Sequence, residues 1–211
     1  MNSRVVFVNT LTFLRVPLIF TWLVFAVLEE YRPGFWMTFI AGASMFLSGV
    51  TDFFDGYLAR RWKAVSQLGK MADPLMDKVF YVVVFPSLVW LIMHQDGGDF
   101  HSLLMLSFTI LYILRDLWVT FLRSVGSAFG ADVAAMWLGK VRTALSFPAA
   151  GWVYAYLSLR GYLPESASDA DRCWLWSCYA VEFAMIALNI YSGYAYTLSY
   201  LPYLRRALEK K

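Results

Sequence analysis

The chain has 211 residues, of which 60% are hydrophobic and 16% are charged, and its formal net charge is +3. A soluble globular domain is usually about half apolar and about a quarter charged, so this composition excludes an ordinary water-soluble fold. The small positive charge follows from the membrane topology described below and gives no indication of nucleic-acid binding.

Six apolar stretches recur along the chain, each near or above the roughly 18 to 20 residues that cross the hydrocarbon of a bilayer. They lie at about residues 11–28, 36–58, 73–94, 102–124, 139–159 and 174–200. The first contains Arg15 and has no small-residue cleavage site, so we interpret it as a retained span rather than a signal peptide. The sequence therefore predicts an all-α integral membrane protein, a bundle of six transmembrane helices forming a single domain over residues 1–211.

Basic residues are distributed unevenly between the two ends of these spans. One set of loops holds only Arg32, Arg160 and Arg172, beside several acids, and the other Lys and Arg residues lie at the opposite ends. Because cytoplasmic loops retain Lys and Arg, we expect both termini to be cytoplasmic.

The outer loops also carry the histidines and lie near the cysteines. His94 and His101 flank the short stretch HQDGGDFH and are expected to be loop residues without a role. Cys173 and Cys178 lie five residues apart, on different faces of a helix, so no internal disulfide is expected.

The second and third spans carry four aspartates near their expected cytoplasmic ends. On a helix, Asp52 and Asp55 lie about 60° apart, and Asp73 and Asp77 about 40° apart, so each pair can point one way. Carboxylates near hydrocarbon need positive charge beside them. Arg60, Lys70 and Lys78 are candidates for part of it. An all-oxygen cluster without Cys or His also suits two Mg²⁺ or Mn²⁺ ions. The alternative interpretation is a solvated loop with ordinary surface charge.

Small residues accompany the aspartates. Gly56 and Ala59 fall on the same stripe as Asp52 and Asp55, and Gly69 precedes Asp73. Glycine inside a helix costs around 1 kcal/mol relative to alanine, so such positions indicate close approach by a ligand or by another helix. Because Arg60 beside them suits a phosphate group, we favour a metal-bound phosphate ester.

The complete spaced pattern resembles the signature of the CDP-alcohol phosphatidyltransferases, with every position present: Asp52, Asp55, Gly56, Ala59, Arg60, Gly69, Asp73 and Asp77. The resemblance implies six transmembrane helices and usually a homodimer. It implies that the four aspartates hold two divalent cations. It also implies that Asp77 takes the proton from the acceptor alcohol.

The resemblance extends to the donor nucleotide. It implies that Gly56, Arg60 and Ser66 contact the CDP part of the donor, and that Ala59 and Gly69 leave room for it. The stretch NTLTFLRVP is similar to the N-terminal segment of the family, in which Asn9 approaches the nucleotide. The family usually has proline before this asparagine, and this chain has Val8.

A second group of residues bears on the acceptor. Arg115 and Arg123 lie about two turns apart on the fourth span, and Lys140 and Arg142 begin the fifth. Arginines within a membrane need anionic partners, unless they snorkel or only mark the cytoplasmic side. Several cations together favour an acceptor that carries its own phosphate.

This stretch resembles the corresponding part of the family's bacterial phosphatidylglycerophosphate synthases, where an RE…LR pattern precedes a GK.KT element. Asp116 replaces the commoner glutamate, and Ser124 stands where an acid is frequent. The resemblance implies transfer from CDP-diacylglycerol to glycerol 3-phosphate, giving phosphatidylglycerol phosphate and CMP. It places the enzyme in a bacterial inner membrane, with its active site facing the cytoplasm.

Other interpretations remain open at the level of sequence. Family members that use inositol phosphate, or phosphatidylglycerol as cardiolipin synthases do, would have the same metal site. A divalent-cation transporter would need acids through the depth of the bilayer, and Glu182 is the only other acid deep in a span. A non-catalytic scaffold would leave the spacing from Asp52 to Asp77 unexplained.

Overall fold

The part of the chain that the structure describes forms six long α-helices and one short 3₁₀ helix. The computed structural model describes residues 3–64, 66–96, 100–130, 137–164 and 168–209, except for the side chains at 70, 73 and 96. The helices are α1 (Ser3–Tyr31), α2 (Phe35–Arg61), α3 (Gln67–Asp96), α4 (Phe100–Ala128), α5 (Trp137–Leu159) and α6 (Ser168–Glu209), with the 3₁₀ helix at Arg160–Tyr162. The described ranges contain no strand, which confirms the all-α prediction.

Each predicted span lies inside one of the six helices. Within the described residues, five helices are long and apolar enough to cross a membrane: α1, α2, α3, α4 and α6. The remaining helix, α5, has 23 residues, and its sequence includes Lys140, Arg142 and Pro148. At a rise of 1.5 Å per residue it is about 35 Å long, which matches the hydrocarbon thickness of about 30 Å.

The connection between α2 and α3 positions the aspartates. Helix α2 ends with the amide of Trp62 donating to the carbonyl of Leu58 at 2.9 Å, and Lys63 then adopts a left-handed conformation with φ of 50°. The amide of Ala64 donates back to the carbonyl of Ala59 at 3.0 Å. A left-handed residue after the last turn is a common way to end a helix. The chain therefore reverses within a few residues, and the aspartates of α3 follow those of α2 closely.

The helices pack in two linked groups. Helix α1 packs against α2 and α3, and α4 and α5 each pack against both α3 and α6. Large side chains fill the space between them, and Trp22, Phe85, Tyr112 and Tyr156 are almost completely buried. Phe85 and Tyr112 meet edge to face with their ring centroids 4.9 Å apart, an arrangement favoured for aromatic pairs. Helix α3 is thus central to the bundle.

Neither histidine is a loop residue, contrary to the prediction, since His94 lies in the last turn of α3. His101 lies in α4 with 1% of its surface exposed, and its Nε2 is 3.0 Å from Oε1 of Glu182 in α6. The ring of Tyr179 packs edge to face against the imidazole. The prediction is wrong because the polar sequence around residue 97 hides the point at which the helical pattern begins. Glu182 is an acid within an apolar span and needs a partner, and His101 is that partner.

Both cysteines are free, as predicted. Cys173 is exposed near the start of α6, and Cys178 is buried one turn further along the helix.

Candidate active site

Three of the four predicted aspartates converge around one buried arginine. Arg15 of α1 is 3% exposed, and its Nη1 donates to Oδ1 of Asp77 at 3.0 Å. Its Nη2 contacts Oδ2 of Asp55 at 3.2 Å and also forms an ion pair with Asp52. The hydroxyl of Thr12, one turn earlier in α1, donates to the same Asp55 oxygen at 2.9 Å. Three helices therefore meet at a cluster of carboxylates, which we call the carboxylate cluster: Asp52, Asp55 and Asp77.

Asp73 belongs to the predicted metal set, but its side chain, like that of Lys70, lies outside the described residues. Among the described side chains, no group of three or more His, Cys, Asp or Glu residues forms a metal-binding arrangement. The chemistry of the donor set nevertheless fits a cation, because one guanidinium faces three carboxylates and leaves a net negative charge. Their oxygens are ligands that Mg²⁺ and Mn²⁺ prefer.

The carboxylates differ in how far they face solvent. The side chain of Asp55 is 6% exposed, whereas those of Asp52 and Asp77 are 53% and 40% exposed. Asp55 is therefore fixed inside the bundle by Thr12 and Arg15, and Asp52 and Asp77 border an open cavity. One carboxylate of the cluster is thus held rigidly, and the other two are open to a cation or substrate that enters the cavity.

The residues predicted to contact the donor nucleotide form two small groups beside the carboxylate cluster. In the first, the hydroxyl of Ser66 donates to Oδ1 of Asn9 at 2.8 Å and accepts the amide of Gly69 at 2.8 Å. A Cβ on Gly69 would lie 3.1 Å from the Ser66 hydroxyl and 3.2 Å from the Asn9 carbonyl oxygen. A side chain at position 69 would therefore have to displace one of these oxygens by a few tenths of an ångström.

In the second group, the guanidinium of Arg60 folds back over Gly56, one turn earlier in α2. A Cβ on Gly56 would lie 3.5 Å from Nη1 of Arg60. Ala59 is half-buried, and its carbonyl accepts the amide of Ala64 at the end of α2. The structure therefore brings Asn9, Ser66 and Gly69 together, and separately pairs Gly56 with Arg60.

A polar cavity of about 610 Å³ adjoins the carboxylate cluster. It is lined on one side by Asp52, Asp77 and Lys78 of α2 and α3, and on the other by α4, α5 and α6. All four cations predicted to contact the acceptor line this cavity: Arg115, Arg123, Lys140 and Arg142. We call it the cation-lined cavity. It joins two sets of residues that lie more than thirty positions apart in the sequence.

Asp116 of α4 ties three donors together at the wall of this cavity. Its Oδ2 accepts the hydroxyl of Tyr81 at 2.7 Å and lies 3.4 Å from Nζ of Lys78. Its Oδ1 accepts Nη2 of Arg142 at 3.3 Å. Arg142 also donates to Oδ1 of Asn189 at 3.2 Å and lies over the ring of Tyr112, 4.0 Å from its centroid. Arg142 is therefore held in place and does not snorkel.

Arg115 is fixed from the opposite direction. Its Nη2 donates to the hydroxyl of Ser192 in α6, and its guanidinium lies 4.9 Å from the ring centroid of Tyr196. Arg115 is 9% exposed and Arg142 is 3% exposed, so both are interior cations. Arg123 is half-buried and Lys140 exposed, both at the cavity wall. Two fixed and two more accessible cations suit a small anion that enters from solvent.

Several residues of this site lie outside the predicted set. In the sequence, Arg15 is a single charge inside an apolar span, which implies an acidic partner. Asp116 differs from the commoner glutamate of the family, and its contact with Arg142 depends on how α4 and α5 pack. Tyr81 carried no signal, because a tyrosine in a span is usually part of the core or of an aromatic belt.

Sequence comparisons identify proteins related to this chain. Residues 5–191 match the family model for CDP-alcohol phosphatidyltransferase. The chain is 34% identical over 145 residues to the CDP-diacylglycerol–glycerol-3-phosphate 3-phosphatidyltransferase of Escherichia coli strain K12. The proteins of the same name from Escherichia coli O157:H7 and Shigella flexneri serotype 5b (strain 8401) show the same identity. Each alignment covers 68% of this chain and 73% of the relative.

Proposed function

The chain belongs to the CDP-alcohol phosphatidyltransferase family, and on that premise we propose that its acceptor is glycerol 3-phosphate. The donor is CDP-diacylglycerol, and the products are phosphatidylglycerol phosphate and CMP. The family and the relatives support a transferase of phospholipid biosynthesis. The acceptor itself is inferred from the cation-lined cavity and from the activity after which the relatives are named.

One observation supports the acceptor most directly. The cation-lined cavity contains Asp77 together with Arg115, Arg123, Lys140 and Arg142. A neutral alcohol would form no ion pair with these cations, whereas the phosphate of glycerol 3-phosphate can accept several charge-assisted hydrogen bonds from them. A phosphate held there leaves the glycerol hydroxyl free to point towards Asp77.

The residues of the chain would act as follows. The cations of the cavity bind and orient the acceptor phosphate, and the Asp77 carboxylate accepts the proton of the attacking hydroxyl. The hydroxyl oxygen forms a bond to the phosphatidyl phosphorus as the bond to the bridging oxygen of the diphosphate breaks. That electron pair leaves with CMP, in an in-line displacement.

Divalent cations would be held by Asp52, Asp55, Asp73 and Asp77, and when bound they supply positive charge that stabilises the diphosphate oxygens. Asn9, Ser66 and Gly69 would bind the nucleotide part of the donor, with Ala59 leaving room beside them. Arg60, folded over Gly56, would contact its diphosphate.

We also propose the orientation of the molecule. The end of the bundle that carries the carboxylate cluster also carries Arg4, Arg60, Arg61, Arg205 and Arg206, which supports a cytoplasmic site and cytoplasmic termini. Six spans require α5 to cross as well. We further propose that the protein lies in a bacterial inner membrane and forms a homodimer, as is usual in the family. The whole chain would form a single domain.

The acceptor is tested by measuring CMP release. Purified protein is incubated with CDP-diacylglycerol, Mg²⁺ or Mn²⁺, and one acceptor at a time: glycerol 3-phosphate, inositol phosphate or phosphatidylglycerol. We expect rapid CMP release with glycerol 3-phosphate, and little with the other two. Faster release with inositol phosphate or phosphatidylglycerol would replace the proposed acceptor by that one.

The base is tested by Asp77→Asn, which keeps the size of the side chain and removes its ability to take a proton. We expect CMP release to fall by at least about a hundredfold, within the usual range for general base catalysis, while the protein still folds. The matched control is Asp169→Asn, an exposed residue at the opposite end of the bundle, where the same exchange should leave turnover unchanged. Wild-type CMP release by Asp77→Asn would refute the role of Asp77.

A further inference from the structure

Arg15 occupies the centre of the carboxylate cluster. Its two terminal nitrogens contact carboxylate oxygens from α2 and α3: Oδ1 of Asp52, Oδ2 of Asp55 and Oδ1 of Asp77. The contacts join α1 to two other helices, across sequence separations of 40 and 62 residues for the hydrogen bonds to Asp55 and Asp77. One side chain therefore links the three helices that build the proposed cation site.

The position of Arg15 is fixed by its own helix. Val8, Thr12, Arg15 and Ile19 follow one another at helical spacing and are all buried, so this stripe of α1 faces the bundle. Thr12 binds the same Asp55 oxygen as Arg15 does. With a side chain only 4% exposed, Arg15 does not extend towards solvent, and arginine keeps its charge in proteins.

The oxygens that bind Arg15 are of the kind that hard divalent cations bind. A cation bridging Asp52 and Asp77 would have to share those oxygens with the guanidinium or take them from it. Because the single positive charge of Arg15 faces three carboxylates, the cluster keeps a net attraction for further cations. Arg15 thus gathers the carboxylates and at the same time opposes the binding of a divalent ion among them.

We propose that Arg15 is a positioning residue of the site, an internal counter-cation that holds Asp52, Asp55 and Asp77 together and competes with divalent cations for their oxygens. The inference rests on the proposed function, in which these aspartates bind the cations. When a divalent ion binds, Arg15 gives up its contacts with Asp52 and Asp77, the two more exposed carboxylates.

The test uses Mn²⁺ as the probe and purified full-length protein freed of metal with a chelator. Binding is followed by the electron paramagnetic resonance signal of free Mn²⁺, and thermal unfolding is measured with and without Mn²⁺. For Arg15→Gln, which keeps an amide donor but no charge, we expect the dissociation constant for Mn²⁺ to fall about tenfold. Without Mn²⁺, this variant should melt at a lower temperature than the wild type. Its melting temperature should rise more than that of the wild type when Mn²⁺ is added.

Two further variants sharpen the result. Arg15→Lys keeps the charge but presents a single ammonium instead of a planar fork, so its dissociation constant should lie between those of Arg15→Gln and the wild type. If Arg15→Gln does not fold, Arg15→Lys takes its place in the test. Arg205→Gln, an exposed residue near the end of α6, removes the same charge and should leave Mn²⁺ binding unchanged.

Unchanged or weaker Mn²⁺ binding by a folded Arg15 variant would overturn the inference, and so would failure of all the proteins to bind Mn²⁺. CMP release by the wild type decides the proposed function separately. If the wild type releases CMP but the Arg15 variants bind Mn²⁺ no more tightly, only the counter-cation role fails. If the variants bind Mn²⁺ more tightly but the wild type transfers to no acceptor, only the proposed function fails.

Discussion

At the scale of single residues, Asp116 is the polar group on which the cation-lined cavity most depends. It accepts from Tyr81 and Arg142 and pairs with Lys78, so one carboxylate from α4 joins α3 to α5. Its side chain is 18% exposed, and Arg142, its partner, is almost fully buried. Removing one partner of a buried ion pair leaves the other charge uncompensated, which is far costlier than removing both.

Asp116→Asn is therefore expected to destabilise the fold. The amide keeps the shape of the side chain but removes the charge that faces Arg142 and Lys78, so we expect a loss of about 3 kcal/mol in unfolding free energy. The measurement is thermal or denaturant unfolding in detergent. Asp116→Glu, which retains the charge, should lose less than about 1.5 kcal/mol. Equal stability of the Asn variant and the wild type would show that Asp116 contributes little to holding Arg142.

The same scale shows what sequence could and could not reveal about the site. The spacing of Asp52 and Asp55 in one helix, and of Asp73 and Asp77 in the next, predicts that each pair shares a face, because helical periodicity fixes it. Asp116 could not be connected to Arg142 in this way, since their contact depends on the packing of two different helices. The sequence identifies the four cations of the acceptor group individually, but their meeting with Asp77 in one cavity depends on how α3, α4 and α5 pack.

At the scale of the elements, hydropathy predicts all six α-helices, but each predicted window is shorter than its helix. The apolar window of the first span began about residue 11, whereas α1 begins at Ser3, and α6 continues to Glu209. Hydropathy detects only the part of a helix that suits lipid, while the helix itself continues wherever backbone hydrogen bonds and packing allow. The carboxylate cluster itself lies inside two of the predicted windows, 36–58 and 73–94, close to the ends at which α2 and α3 extend beyond them.

The contact between α2 and α5 depends on a glycine. A Cβ on Gly49 would lie 2.3 Å from Cε1 of Phe147, a ring that also stacks on Phe80 with centroids 4.8 Å apart. Small residues allow such close approach between membrane helices. Because Gly49 lies three residues before Asp52, this contact also positions the end of α2 that supports the site.

We expect Gly49→Ala to destabilise the protein by about 1–3 kcal/mol, since the added methyl group must displace the Phe147 ring from its stacking position. Thermal unfolding in detergent measures the effect. Gly42→Ala is the matched control in the same helix, where a Cβ would meet nothing within 4 Å. There, the better helix propensity of alanine should leave stability unchanged or slightly higher. A neutral Gly49→Ala would contradict the close packing of α2 on α5.

At the scale of the whole molecule, the two ends of the bundle have different chemistry. One end carries the carboxylate cluster and the cation-lined cavity. The other contains the buried pair of His101 and Glu182, which joins α4 to α6. Glu182 is thus bound within the protein rather than lining an open path, and this argues against a transport pathway that extends from the carboxylate cluster through the bilayer.

The proposed orientation predicts a difference between the two cysteines. Cys173 is exposed near the start of α6, on the side proposed to face away from the cytoplasm, and Cys178 is buried. A membrane-impermeant maleimide added to intact spheroplasts should therefore label the wild type and the Cys178→Ser variant, but not the Cys173→Ser variant. Labelling of Cys173 only after the membrane is opened would reverse the orientation.

The partners of the interior arginines have a consequence for the order in which the polypeptide is synthesised. Arg15 finds its carboxylates in α2 and α3, so the first half of the chain can neutralise its own buried charge as soon as three helices have been translated. Arg142 pairs with Asp116 of α4 but also donates to Asn189 of α6, and Arg115 donates to Ser192 of α6. A nascent chain that stops before α6 therefore holds two arginines in the bilayer without those hydrogen bonds, so stable insertion of the second half awaits completion of the last helix.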